Sequence, residues 1–114
     1  MEFAPPDYGT LLYQYGGQYY KYDGEATDID SENGINAFIK YTDFYTNYKI
    51  PVSFEFSNRF RTGEMPMGVT ELYTFYNKIS VFAPEIKGEW TLAPVPGVKQ
   101  EDGTVNNTVL SQYT

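Results

Sequence analysis

The chain contains no cysteine and no histidine. That excludes disulfides, thiolate nucleophiles, imidazole general bases and the usual zinc and copper sites. Positive charge is also scarce, with 8 Lys and Arg against 15 Asp and Glu, a formal charge of −7. Such a surface cannot present the broad positive field that phosphate backbones need, so nucleic acid and anionic membranes are poor partners. No apolar run approaches the roughly 20 residues that span a bilayer. Residues 1–9, MEFAPPDYG, have neither the basic start nor the apolar middle of a secretory signal. The chain enters at once on a Pro-Pro turn and reads as starting inside a longer protein. Its 114 residues suffice for one small domain with one core.

What is present in excess is aromatic: 12 Tyr, 8 Phe and a single Trp. Phe is ordinary core material. Tyr joins an apolar ring to a hydroxyl that wants water or a partner, so a surplus of Tyr suits half-buried surfaces and binding grooves. Most of these rings are expected to pack, and a minority to face a ligand.

Local patterns predict an α/β fold in which short strands alternate with three helices. Residues 10–15 are apolar and aromatic, with the Gly16-Gly17 pair stopping any helix there. Gln18 to Tyr22 reads as a strand, Asp23-Gly24 as a hairpin turn, and Glu25 to Ile29 as the return strand. Asp30 or Ser31 caps a helix that shows Ile35, Phe38, Ile39, Thr42 and Tyr45 on one face and ends near Tyr48-Lys49, before Pro51. A shorter helix spans Phe54 to Thr62, with Gly63 as its left-handed cap. Met65, Met67 and Val69 alternate as a strand. Thr70 caps a third helix, whose stripe is Leu72, Phe75, Tyr76, Ile79, Phe82 and Ala83, closed by Pro84. Trp90 to Ala93 reads as a last strand before the Pro94 to Gly97 turn, and residues 98–114 as a loop or truncated element. Two or three strands are few for a self-sufficient sheet, so the expectation is a single truncated domain over residues 1–114.

Four segments then carry a resemblance: LLYQYGGQYY, SENGINAFIKYTDFYTNYKIP, RFRTGEMPMGV and APEIKGEWTLAPVPG, in this order over residues 11 to 97. The chain resembles an internal section of bacterial extracellular solute-binding proteins of family 1, the carbohydrate receptors of ABC importers. The resemblance implies a periplasmic-binding-protein-like (type II) fold, with these residues mostly in the second of two lobes that close on a sugar. It also implies importer membrane subunits as partners and a place in the periplasm or, lipid-anchored, on the outer face of the membrane. It implies no cofactor and no chemistry.

A sugar needs an aromatic plate for its C–H face and planar polar groups for its rim. Tyr73 matches the stacking aromatic of the family by position, six residues beyond Met67, and lies off the apolar stripe of its helix. A surface or interlobe packing ring is the alternative. Thr70 and Glu71 could bond sugar hydroxyls or serve only the helix terminus. Gly16 and Gly17 could bring backbone N–H groups to a ligand or simply turn the chain, and Gln14 could face the cleft.

Other constellations are weaker. Asp28, Asp30 and Glu32 suggest calcium, but Asn33 and Ile39 occupy the places where an EF-hand needs glycine and glutamate. Arg59 and Arg61 suit a helix end better than an anionic ligand. Asn106-Asn107-Thr108 matches a glycosylation acceptor at chance level. Carboxylates are plentiful, yet none sits in a pattern that pairs two across a cleft, so an enzyme is not expected. The competing readings are a freestanding aromatic-rich module that binds carbohydrate or protein, and an orphan structural domain. Uncovered edges and apolar faces would favour homodimers or swapped assemblies at high concentration.

Overall fold

Pro5 and Pro6 withhold two backbone donors, and the next residue starts a helix. Asp7 takes an extended conformation and its carboxylate accepts the Thr10 N–H at 2.7 Å. The computed structural model describes residues 3–110. In chain order these hold β1 (Phe3–Ala4), α1 (Tyr8–Gln14), β2 (Tyr20–Lys21), β3 (Ala26–Thr27), α2 (Glu32–Thr46), α3 (Phe56–Thr62), β4 (Met67–Gly68), α4 (Leu72–Phe82), β5 (Val98–Lys99) and β6 (Val105–Asn106). The fold is mixed α/β with four α-helices among the described residues, one more than expected, because the apolar and aromatic segment before Gly16-Gly17 forms α1.

α1 ends in a Schellman motif. Gly16 adopts φ +81°, the Gly16 N–H donates to the Tyr13 carbonyl, and the Gly17 N–H donates to that of Leu12. The expected hairpin follows as β2 and β3, antiparallel with Tyr20 opposite Thr27. Its strands are only two residues long, because Tyr22, Asp23 and Gly24 all turn through positive φ.

α2 begins where expected, with the Ser31 hydroxyl accepting the Gly34 N–H. Its buried face is not the expected one. Ile35, Phe38 and Ile39 are exposed, while Gly34, Ala37 and Phe44 are buried. A Cβ on Gly34 would stand 2.7 Å from the Ile29 carbonyl carbon, and Ala37 has no accessible surface. The two small residues let α2 come close to its neighbours on that side, and close approach sets the face. Leu11, Leu12, Ala37, Phe44 and Ile50 form the first core cluster, rimmed by Phe3, Tyr8, Tyr15, Tyr19, Tyr41, Tyr45 and Phe54.

α3 starts two residues later than expected, because Glu55 acts as its N-cap, and ends at Gly63 with φ +80° as anticipated. Met65 belongs to the turn after it rather than to a strand. Its N–H donates to the Arg59 carbonyl and its side chain is fully buried, whereas Met67 in β4 is 55% exposed. Thr70 does not cap α4; Glu71 holds the N-cap position, with no side-chain cap bond. Half of the α4 stripe is buried, Phe75, Ile79 and Ala83, while Leu72, Tyr76 and Phe82 are exposed. Trp90 to Ala93 forms no strand. Trp90 instead packs beside Phe56, Phe60 and Ile86 around Phe75, Ile79 and Ala83 as a second cluster. Its ring centroid lies 6.0 Å from that of Phe75 and 6.1 Å from that of Phe60, both edge-to-face. Within the segment expected to be a loop, β5 and β6 make a small antiparallel hairpin; residues 111–114 lie outside the described residues.

β1 and β4 pair in parallel, Phe3 beside Met67 and Ala4 beside Gly68. Alternate residues of a strand point to opposite faces. Phe3 joins the first cluster, its ring 5.4 Å from Phe44, while Gly68 lies against Phe56 of the second. A Cβ on Gly68 would lie 2.9 Å from the Ala4 Cβ and run into the Phe56 ring, so glycine is needed for this closeness. The ladder is therefore a seam with a helical layer on each face, α1 and α2 on one and α3 and α4 on the other, the layering of parallel α/β sheets. The radius of gyration is 16.0 Å, against about 13 Å for a compact domain of this length. Two clusters on a two-residue seam account for the excess.

Candidate functional site

β1 and β4 run out at the same end of the seam, where the Val69 N–H donates to the Ala4 carbonyl at 2.8 Å. The chain then passes through Thr70 and Glu71 into α4. In open parallel α/β sheets ligands bind outside the carboxyl ends of the strands. Thr70, Glu71 and Tyr73 gather there within four residues of sequence and all three are exposed, Tyr73 by 78%. Glu71 at the helix start is favoured by the positive end of the helix dipole. Met67 and Leu72, also exposed, add apolar surface beside them.

The exposed side of α4 continues from Tyr73 through Tyr76, Asn77 and Ser80, residues three and four apart and hence neighbours on the helix surface. It leads into an open cleft of about 560 Å³ whose walls include Tyr76, Ser80, Lys87, Trp90, Thr91 and Leu92. Tyr76 and Trp90 touch edge to face, their ring centroids 6.0 Å apart, on its wall. This lining mixes two aromatic rings with hydroxyls and one cation, the composition of a site for a ligand that is apolar on its faces and polar on its rim. Sequence reasoning missed Tyr76 as an exposed residue and Trp90 as a half-buried wall of the cleft, assigning one to the apolar stripe and the other to a strand. The available signal was the choice of Tyr over Phe at position 76, since a phenol at a stripe edge keeps its hydroxyl in water.

The other three sequence candidates sit at the far end of α1. A helix of seven residues rises about 10 Å, which separates Gln14 from the strand ends at which Asp7 starts that helix. Gln14 is 2% exposed and its amide donates to the carbonyls of Pro96 at 3.0 Å and Thr108 at 3.1 Å. Gly16 and Gly17 serve the helix terminus, and a Cβ on Gly17 would stand 2.7 Å from a Leu12 methyl. All three are thus committed to packing and chain direction. Among the described residues no three carboxylates converge on a metal-sized site, and the Asp28 carboxylate instead pairs with Lys21 at 3.7 Å.

A second concavity lies on the first layer, between α1 and α2, lined by Tyr8, Ile29, Gly34, Ile35, Phe38 and Tyr41. It is almost wholly apolar. The Tyr8 hydroxyl donates to the Gly34 carbonyl, 3.2 Å distant.

Compared with known proteins, the chain matches no family model, no curated protein and no solved structure.

Proposed function

We propose that this chain is part of the second lobe of a periplasmic-binding-protein-like (type II) carbohydrate receptor, which holds an oligosaccharide between two lobes and delivers it to the membrane subunits of an ABC importer. The observation that carries the reading is the Tyr73 ring, 78% exposed where β1 and β4 end, beside Thr70 and Glu71. A flat apolar ring flanked by a hydroxyl and a carboxylate complements a pyranose, with its C–H face on Tyr73 and its hydroxyls on the polar pair. Tyr76, exposed and backed by the half-buried Trp90, extends the same aromatic surface for a further sugar unit. The parallel seam with a helical layer on each face suits one edge of a larger lobe, and binding with domain closure needs no catalytic group. The place of action would be the periplasm or, through a lipid anchor, the outer face of the membrane.

The test is calorimetric titration of the whole receptor with a panel of oligosaccharides. Tyr73→Ala should weaken binding by about 1–3 kcal/mol, the scale of a lost aromatic contact with its buried area. The 114-residue chain alone should bind no more tightly than millimolar, since half of the clamp is missing. Unchanged affinity in Tyr73→Ala would remove this residue from the site, and micromolar binding by the short chain would contradict the two-lobe arrangement.

The apolar concavity between α1 and α2 favours the alternative of a freestanding protein-binding module. Retention of full oligosaccharide affinity by the short chain would favour a freestanding carbohydrate-binding module.

A further inference from the structure

Three carboxamides tie the C-terminal part of the chain to α1. The Gln14 amide donates to Pro96 and Thr108, as described above. In return the Asn106 amide donates to the carbonyls of Tyr13 at 3.1 Å and Gln14 at 3.2 Å, and the Gln100 amide to those of Gln14 at 3.1 Å and Val98 at 2.8 Å. The last carbonyls of a helix lack intrahelical donors; the Tyr13 carbonyl already accepts the Gly16 N–H, and side chains more than 80 residues away in sequence add donors to it and to the Gln14 carbonyl. Apolar anchoring of the same segment is thin. Val98 and Leu110 are half-buried, while Val105 and Val109 are 60% and 50% exposed. The segment leaves the α3–α4 layer at Trp90 and lands on α1 in the other layer. The two-residue β1–β4 seam and the connection over residues 47–55 also join the layers.

We propose that residues 96–108 are a strap whose carboxamide bonds to α1 fix the angle between the two helical layers, and that detaching this strap is the first opening step of the molecule. Elements held by few apolar contacts open below the global unfolding free energy, and this one is held by neutral side-chain bonds. The inference stands whether or not the molecule binds sugar.

The experiment is amide hydrogen exchange, read residue by residue, combined with small-angle scattering on the wild-type chain, Gln14→Glu and Asn106→Ala. Asn106→Ala removes the two bonds to α1, and with them the acceptor of the Thr108 N–H and hydroxyl, without touching either core cluster. It should lower protection of the Gln100 and Gly103 amides about tenfold, the effect of one to two net hydrogen bonds. Protection within α2 and α4 should stay within about twofold of wild type, since distant sites respond independently. The radius of gyration should rise. Gln14→Glu at neutral pH sets a carboxylate against two carbonyl oxygens and should loosen the strap further; protonation restores one donor, so its protection should recover towards acid pH. Strap protection unchanged in Asn106→Ala would overturn the proposal, as would its loss together with α2 and α4 in one cooperative step. A released strap with an unchanged radius of gyration would overturn its role in setting the angle.

Discussion

Glu55 uses both oxygens of its carboxylate to join α3 to α4. One accepts the Asn58 N–H at 2.7 Å and caps α3; the other takes the Lys78 ammonium of α4. Lys78 first, and the Asn58 N–H second, hold the Glu55 carboxyl below its ordinary value. A second ion pair, Arg61 with Glu85, ties the end of α3 to the turn after α4. The edges of the second layer are thus stapled by charge around its aromatic centre.

Glu55→Ala should destabilise the chain by about 1–2 kcal/mol in urea denaturation, most of it from the lost cap, because exposed ion pairs contribute only about 0–1 kcal/mol. The carboxyl is depressed in the folded state, so its contribution is complete above the unfolded value and disappears as pH falls through the folded one. The melting temperature of the wild-type chain should therefore drop as pH is lowered below about 4.5, the ordinary value of this carboxyl. In Glu55→Gln that drop should be smaller. Equal acid sensitivity in both would show that other carboxylates carry it.

Gly34→Ala sets two effects against each other. Alanine favours a helix over glycine by about 1 kcal/mol. The added methyl would, however, strike the Ile29 backbone, which cannot swing aside as a side chain can. Overpacking of this kind costs about 1–3 kcal/mol, so the net change should be destabilising. A rise in stability on denaturation would mean that the α2 face is not fixed by this contact.

The exposed face of α2 predicts association. Ile35, Phe38 and Ile39 are each at least half exposed, and with Ile29 they make one apolar patch. Sedimentation of the wild-type chain should show dimers growing with concentration, and Phe38→Lys should shift the distribution towards monomer with little change in melting temperature. A monomeric wild type at high concentration would indicate that this patch tolerates water.

Much of the local architecture is legible in the sequence. Ser31 before α2, Gly63 after α3, Asp23-Gly24 in the hairpin and Pro84 after α4 are positions where chain chemistry is local, and each falls where its residue type directs. What stays illegible is decided at a distance. α2 carries two interleaved apolar stripes, and the choice between them rests on Gly34 meeting Ile29. Trp90 and Leu92 alternate like a strand, but a strand exists only where a partner accepts its hydrogen bonds. β5 and β6 have little apolar pattern to announce them, and the segment around them is bonded to α1 far upstream. In the candidate site, the exposure of Tyr73 is readable from helical period alone. The burial of Gln14 is not, since a glutamine shows no sign of the carbonyls it will meet.

Trp90 is the sole indole, and it is wedged among Phe60, Phe75 and Tyr76 in one layer. Tyr8, Tyr15, Tyr19, Tyr41 and Tyr45 crowd the other. Besides Tyr76, which touches the indole and transfers to it whatever the angle between the layers, the molecule therefore carries a set of phenol donors on the side of its seam opposite the acceptor. Resonance transfer from phenol to indole becomes an internal ruler, read from native emission without any attached dye.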